Sequence, residues 1–341
     1  MPDIYSGPIV IAGAGAIGCY VGGCLSLAGR DVRLLARPRI VSALTRSGLR
    51  VTDLDGRDRL IAAGSIHATD DVAALAGAGL VLVTVKSGAT EAMAREIGRH
   101  APVDATIVSL QNGVNNAALI SRTLGAAAPV FAGMVAFNVV LDERAGQALR
   151  AHRATSGDIV VDAKAGEIAR RLSCEGLDVA TASDVTAVLW GKLLLNLNNA
   201  LNALSGLPLA TQLADRRWRR LLAAQMDEAL AAMKASGIRP AKLAAAPPHL
   251  LPAILRLPDW LFARVASRML AIDPQARSSM SEDLRLGRPT EVDCLQGEVQ
   301  RLGARAGVAT PLTERITHAI HRAEAAGAGL PALDPAELSV R

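Results

Sequence analysis

Pro8-Ile9-Val10-Ile11-Ala12-Gly13-Ala14-Gly15-Ala16-Ile17-Gly18 sets the reading of the first half of the chain. Residues 8–12 are apolar without alternation, as a strand covered on both faces of a parallel sheet should be. Residues 17–28 then read as a helix, ended by Gly29. Between them lies a G-x-G-x-x-G. In that spacing Gly13 makes the tight turn, Gly15 lets a pyrophosphate approach the backbone and Gly18 allows close helix–strand packing. Ala14, Ala16 and Ile17 complete the loop, whose N–H groups and helix N-terminus hold phosphates. A glycine-rich turn without a ligand is the other reading. The strand, the helix and a second strand at 32–36 stand where dinucleotide binding requires them.

The same region imitates a membrane or secretory segment, because no charge interrupts residues 4–29. Three features argue against that. Asp3 precedes it without any Lys or Arg, seven glycines fall within it, and their spacing serves a nucleotide instead. A soluble, cytoplasmic protein with no membrane partner is expected. Cys19, Cys24, Cys174 and Cys294 form no C-x-x-C pair and read as free thiols of a reducing compartment.

Outward from the glycine turn, further buried strands are expected at 80–85 (LVLVTV) and 106–110 (TIVSL), with helices at 91–100 and 114–124. Strand and helix in alternation imply an α/β fold with a parallel sheet covered on both sides. From about Asp184 apolar positions recur every three to four residues through 185–204, 218–233, 260–270, 292–306 and 313–325. The spacing predicts a Rossmann-type domain over 1–182 and a mostly α-helical domain over 183–341. The second is interrupted by Pro240, Pro247, Pro248, Pro252 and Pro258, and its tail after Gly327 is expected to fray.

The chain has 341 residues, half of them hydrophobic, enough for two domains with real cores and too much for a disordered chain. The net charge of +5 is mild. With 3 Phe, 3 Trp and 2 Tyr there are few stacking platforms for single-stranded nucleic acid. The densest basic run, Arg216, Arg217, Arg219 and Arg220, reads as a solvated helix face, so no nucleic-acid partner is expected. The six histidines show no ligand spacing, and no metal is expected. The apolar stripe at 261–270 reads as core.

The end of the second strand usually selects between NAD and NADP. Leu34-Leu35-Ala36-Arg37-Pro38-Arg39 has no acid to accept from a ribose 2′-OH. Arg37 can pair with a 2′-phosphate and stack on adenine, so NADP(H) is the predicted coenzyme, with a solvated loop arginine as the alternative. Asp53 and Asp55 come too late to be the ribose acid.

Lys192 is one of only five lysines in the chain and sits in an otherwise apolar helix. Burial would bring its pKa down towards the working pH of a general acid. Asn196 at i+4 and Asn199 at i+7 share its face. Such a stripe is costly unless it lines a cleft or a hydrogen-bonded network; a snorkelling surface lysine beside core amides is the alternative. Lys86 and Asn112-Gly113 follow predicted strands at the end where open α/β sheets bind ligands. They could equally be an ordinary strand exit and an Asn-Gly turn. Ser278-Ser279 could be a helix cap with Glu282 in a capping box, and Thr290-Glu291 the start of another helix.

GAGAIG (13–18), VLVTVKS ending at Lys86-Ser87, Gln111-Asn112-Gly113, WGKLLLN (190–196) and SSMSEDLRLGRPTEVD (278–293) together resemble the ketopantoate reductase family, in its order and over nearly the whole chain. The resemblance implies a Rossmann domain plus a helical domain with the active site between them, and NADPH-dependent reduction of a small 2-oxo acid, 2-dehydropantoate, to pantoate. It assigns catalysis to Lys192, as the acid, and to Glu291. Asn196 would support the lysine and the substrate, and Glu291 and Ser279 would bind substrate hydroxyl and carboxylate groups. Lys86 and Asn112 would line the nicotinamide end, touching both coenzyme and substrate. One departure stands out: the family often has a second Asn eight positions after the lysine, and here that residue is Ala200. Another branched 2-oxo acid or an imine therefore remains open as substrate, as does a non-catalytic NADP(H) sensor. A homodimer is one option for the assembly.

Overall fold

The computed structural model describes residues 7–125, 128–144, 146–265 and 275–338. The chain forms two compact units, Met1–Val185 and Thr186–Arg341. The first contains strands Ile9–Ala12 (β1), Val32–Leu35 (β2), Leu49–Thr52 (β3), Asp58–Ile61 (β4), His67–Thr69 (β5), Leu80–Val83 (β6), Thr106–Ser109 (β7), Val130–Val135 (β8), Val139–Asp142 (β9), Leu149–Arg153 (β10), Ile159–Asp162 (β11) and Val179–Ala182 (β12). Its helices are Ala16–Leu27 (α1), Pro38–Ser47 (α2), Thr90–His100 (α3), Asn116–Leu124 (α4) and Gly166–Leu172 (α5).

Eight strands form one sheet in the order β12-β11-β8-β7-β6-β1-β2-β5. It is parallel except where β8 meets β11. The uninterrupted apolar runs have the expected cause. Ile9 and Ile11 of β1 face one core, Val10 and Ala12 the other, so every position is buried.

A second sheet, β4-β3-β10-β9, was not anticipated from the sequence. Its strands bury few residues each, Leu49 and Val51 of β3 and Leu149 and Ala151 of β10, so the apolar signal is short. This sheet explains why residues 16–27 carry no charge. On α1, a Cβ at Gly22 would lie 2.5 Å from Leu34 Cδ2 of the first sheet. One at Gly23 would lie 2.6 Å from Val51 Cγ2 of the second. The helix is apolar because it is packed between two sheets.

The second unit is helical: Val185–Asn196 (α6, whose first residue closes the first unit), Asn198–Ser205 (α7), Leu209–Ala214 (α8), Arg216–Ala235 (α9), Leu251–Leu255 (α10), Asp259–Val265 (α11), Ser279–Arg285 (α12), Val292–Ala306 (α13) and Pro311–Ala325 (α14). The helix expected over 185–204 is broken at Leu197. The proline segment gives only a 3-10 turn at Pro248–Leu250 and the short α10.

Three expectations are corrected here. Arg219 does not belong to a solvated face; it is fully buried. Its guanidinium donates to the carbonyls of Leu213, Ala214, Leu255 and Leu257 and to Asp259 Oδ1, and stacks 4.2 Å from the Phe262 ring centroid. The arginine thus satisfies the C-terminal carbonyls of α8 and α10 that those helices cannot bond themselves. The tail from Gly327 to Leu338 is docked. Leu333 N–H donates to Leu204 O at 2.9 Å, Asp334 pairs with Arg217, and Leu338 is buried. In the stripe at 261–270 only Phe262 of the described residues is buried, whereas Val265 is exposed; positions 266–270 lie outside the described residues.

Candidate active site

In the first unit, the glycine turn is built as its spacing requires. Gly13 has φ +102°. A Cβ there would stand 2.6 Å from the backbone nitrogen of Val85. Its N–H and that of Ala14 donate to Leu35 O at 3.0 and 2.9 Å. Gly18 approaches Ile11 Cγ2 and Gly13 O so closely that its Cβ would lie 2.9 Å from each. Thr84, the one polar residue in VLVTV, donates its hydroxyl to Gly13 O at 2.9 Å and so ties β6 to the turn. Gly15 differs from both. Its φ is −85° and a Cβ would meet nothing nearer than Gly13 O at 3.9 Å. Neither strain nor packing within the chain demands glycine there. That leaves the start of α1 open beside Gly15, as the close approach of a dinucleotide pyrophosphate would need.

Arg37 follows β2 and is the exposed residue before α2. Its neighbour Arg39 is engaged with Glu143 at 3.0 Å. Lys86, exposed, and Asn112, half-buried, lie in the loops after β6 and β7, adjacent strands of the parallel sheet. Neither loop is an ordinary surface turn. Ser87, Thr90, Ser109, Gln111 and Asn116 beneath them are all buried and hydrogen-bonded to one another. Of these, Gln111 and Ser87 belong to the stretches that carry the family resemblance, which assigns neither a role. Thr90 and Asn116 gave no signal, because polar residues in a helix's first turns are common.

In the second unit, α6 presents Lys192 and Asn196 one turn apart. Lys192 is half-buried, and its apolar surroundings hold the ammonium below the usual lysine range by desolvation. Gly191 beside it is needed for a close crossing: a Cβ would lie 2.5 Å from Ala241 O, and Ala241 N–H donates to Ala187 O at 2.8 Å. The proline segment is therefore clasped onto α6 next to the lysine. The other asparagines divide. Asn198 exchanges two hydrogen bonds with Gln212, and Asn202 bonds Leu207 O and the Ser278 N–H. Both are structural.

Ser278, not Ser279, is the cap of α12. Its hydroxyl accepts from Ser281 N–H at 3.1 Å and donates to Asn199 O at 3.0 Å. The anticipated box with Glu282 is not formed; Glu282 pairs with Arg285 instead. Ser279 is thereby left exposed at the helix start, over α7. Glu291 is half-buried immediately before α13. Gln296, one turn into that helix, donates to Leu197 O at the α6–α7 break. These bonds tie the elements bearing Ser279, Glu291, Lys192 and Asn196 into one scaffold.

A glycine turn between the first strand and first helix of a parallel sheet, followed by a helical unit, is the build of a Rossmann-type, NAD(P)H-dependent oxidoreductase. Residues 9–166 match the family described as Ketopantoate reductase PanE/ApbA, and residues 184–324 match Ketopantoate reductase PanE/ApbA C terminal. The 2-dehydropantoate 2-reductase of Halobacterium salinarum is 26% identical over 328 residues, spanning 94% of this chain and 99% of the relative. That of Mesorhizobium japonicum is 27% identical over 347 residues, spanning 92% and 97%. The PanE/ApbA family ketopantoate reductase of Ralstonia eutropha superposes with a TM-score of 0.75 at 28% identity, over 94% of this chain and 99% of that one. The chain belongs to the ketopantoate reductase family. Among the described residues no helix is long and apolar enough to cross a membrane, and no cluster of side chains could hold a metal ion.

Proposed function

We propose that the protein reduces 2-dehydropantoate to pantoate with NADPH, the step that feeds pantothenate and coenzyme A synthesis. The observation that carries this reading is Lys192, a lysine in the family's WGKLLLN stretch whose ammonium is destabilised by its apolar surroundings. Residues 1–182 would form the coenzyme domain and 183–341 the catalytic one. The turn from Gly13 to Gly18 would hold the pyrophosphate, and Arg37 the 2′-phosphate. The bound nicotinamide would supply the hydride to the carbonyl carbon.

The chain's own residues do the rest. Lys192 Nζ gives its proton to the carbonyl oxygen as the carbon is reduced, so that a free alkoxide never accumulates. Asn196 orients that oxygen from the same helix face. Glu291 accepts from the substrate hydroxyl, Ser279 donates to its carboxylate, and Lys86 and Asn112 hold the reacting end in place.

The sign of the pH dependence follows. Reduction needs the protonated lysine, so its rate is full below the Lys192 pKa and falls as pH rises through it. The fall comes at a lower pH than for an ordinary lysine, because burial depresses that value. Oxidation of pantoate needs the neutral amine and shows the opposite limb.

All four cysteines are thiols, and burial pushes Cys19 and Cys24 up to about 12, which keeps them unreactive. A reducing cytoplasm suits them.

Absorbance at 340 nm with 2-dehydropantoate, comparing NADPH with NADH, tests the proposal. A second substrate reading is favoured by Ala200, which is fully buried in α7 and offers no amide. Ranking branched 2-oxo acids by kcat/KM decides between the two. Tight NADPH binding with no turnover on any of them would instead mark a sensor.

A further inference from the structure

We propose that the buried side chains of Thr90, Gln111 and Asn116 are positioning residues that set Lys86 and Asn112 relative to each other, a role that rests on the reading of those two residues as the nicotinamide end of the site. Side chains link the loops after β6 and β7. Gln111 Nε2 donates to Val85 O at 2.9 Å, the carbonyl of the peptide that leads into Lys86. Its other N–H goes to Thr90 Oγ1 at 2.7 Å, and its Oε1 accepts from Ser109 Oγ at 3.0 Å. On the other side, Asn112 O is held by two donors, Ser87 Oγ at 3.0 Å and Asn116 Nδ2. Asn116 Nδ2 also reaches Ser87 Oγ at 3.3 Å. Thr90 joins the halves: its hydroxyl accepts from Gln111 and lies 3.0 Å from Asn116 Oδ1 and 2.8 Å from Ser87 O.

Each network member is at most 9% exposed, so each polar group is desolvated and must be paired. An apolar plug would fill the same volume without that demand. What the amides add is a grip on two carbonyls, one leading into Lys86 and one belonging to Asn112. An error of about 1 Å in such groups can lower turnover about 10²-fold.

The test compares Thr90→Val, Thr90→Ser, Asn116→Ala, Asn112→Ala and the Asn112→Ala/Asn116→Ala double variant, with NADPH and 2-dehydropantoate. Thr90→Val keeps the volume and deletes the hydroxyl, so it carries the test should Asn116→Ala fold poorly. We expect Thr90→Val and Asn116→Ala each to lose about 10–100-fold in kcat/KM. Thr90→Ser should recover to within about threefold, since it restores the donor and acceptor. In the Asn112→Ala background the Asn116 change should cost less than about threefold, because the group it positions is gone. Effects that multiply in the double variant, or a Thr90→Val enzyme within twofold of wild type, would overturn the network's role. An Asn112→Ala enzyme of full activity would overturn the site reading itself and the positioning claim with it. Titration of NADPH fluorescence reads the network separately from turnover. The Kd should rise in Thr90→Val and return in Thr90→Ser. If the wild-type protein reduced no 2-oxo acid, that titration alone would decide, and an unmoved Kd would refute the positioning role.

Discussion

The role proposed for Lys192 carries a cost. Its surroundings disfavour the ammonium, so the folded protein holds a charge that water would hold better. Lys192→Met should therefore lower kcat about 10²–10⁴-fold, the usual worth of a positioned acid, while the melting temperature holds or rises. A melt several degrees lower would show that the lysine is structural. The glycines give a sharper contrast from one chemical change. Gly13→Ala forces a Cβ against the Val85 backbone at φ +102° and should cost about 1–3 kcal/mol of stability, read by urea denaturation. Gly15→Ala meets open space; it should leave stability unchanged and weaken NADPH binding alone. The lysine and the glycines were legible in the sequence because each is anomalous where it stands: a lysine among arginines on an apolar helix, and glycines at one fixed spacing. Thr90 and Asn116 were not legible, because the bonds that join them to each other, to Gln111 and to the Ser87 hydroxyl span 21 to 29 residues and no local pattern records them.

At the scale of elements, patterns buried on both sides were readable and shallow ones were not. The strands around the glycine turn carry four consecutive buried residues, as in β1 and β6. The second sheet carries two buried apolar residues on β3 and two on β10, beside charged ones, too short a pattern to mark a strand. Arg219 departs from its expected exposure for a related reason. Charge predicts exposure only until enough carbonyls converge, and here four carbonyls and Asp259 do so. Arg219→Met would leave those helix ends unpaired and should destabilise the protein by about 3–5 kcal/mol, measured by denaturant unfolding. Arg220→Met, on the exposed side of α9, should change stability by no more than about 0.5 kcal/mol. Equal effects of the two would contradict the buried hub.

Across the whole molecule, the family match spans both units, and the coenzyme should stabilise what it binds. At 100 times its Kd, NADPH should add about 2.7 kcal/mol to the unfolding free energy. If Arg37 holds the 2′-phosphate, Arg37→Ala should shrink the NADPH shift much more than a shift by NADH, which shares only the adenine; equal losses for both would remove Arg37 from coenzyme choice. The exact 2-oxo acid was the least legible property, since Ala200 withholds one amide that the family often supplies. Lysine-assisted hydride transfer to that carbonyl underlies these expectations. Its most direct measurement is the pH dependence of NADPH oxidation at 340 nm with 2-dehydropantoate, for the wild type and Lys192→Met. The wild type should turn over steadily and lose rate as pH rises through a value below the ordinary lysine range, and the variant should be at least about 100-fold slower with that limb gone. A variant with wild-type rate and an unchanged pH profile would contradict the account.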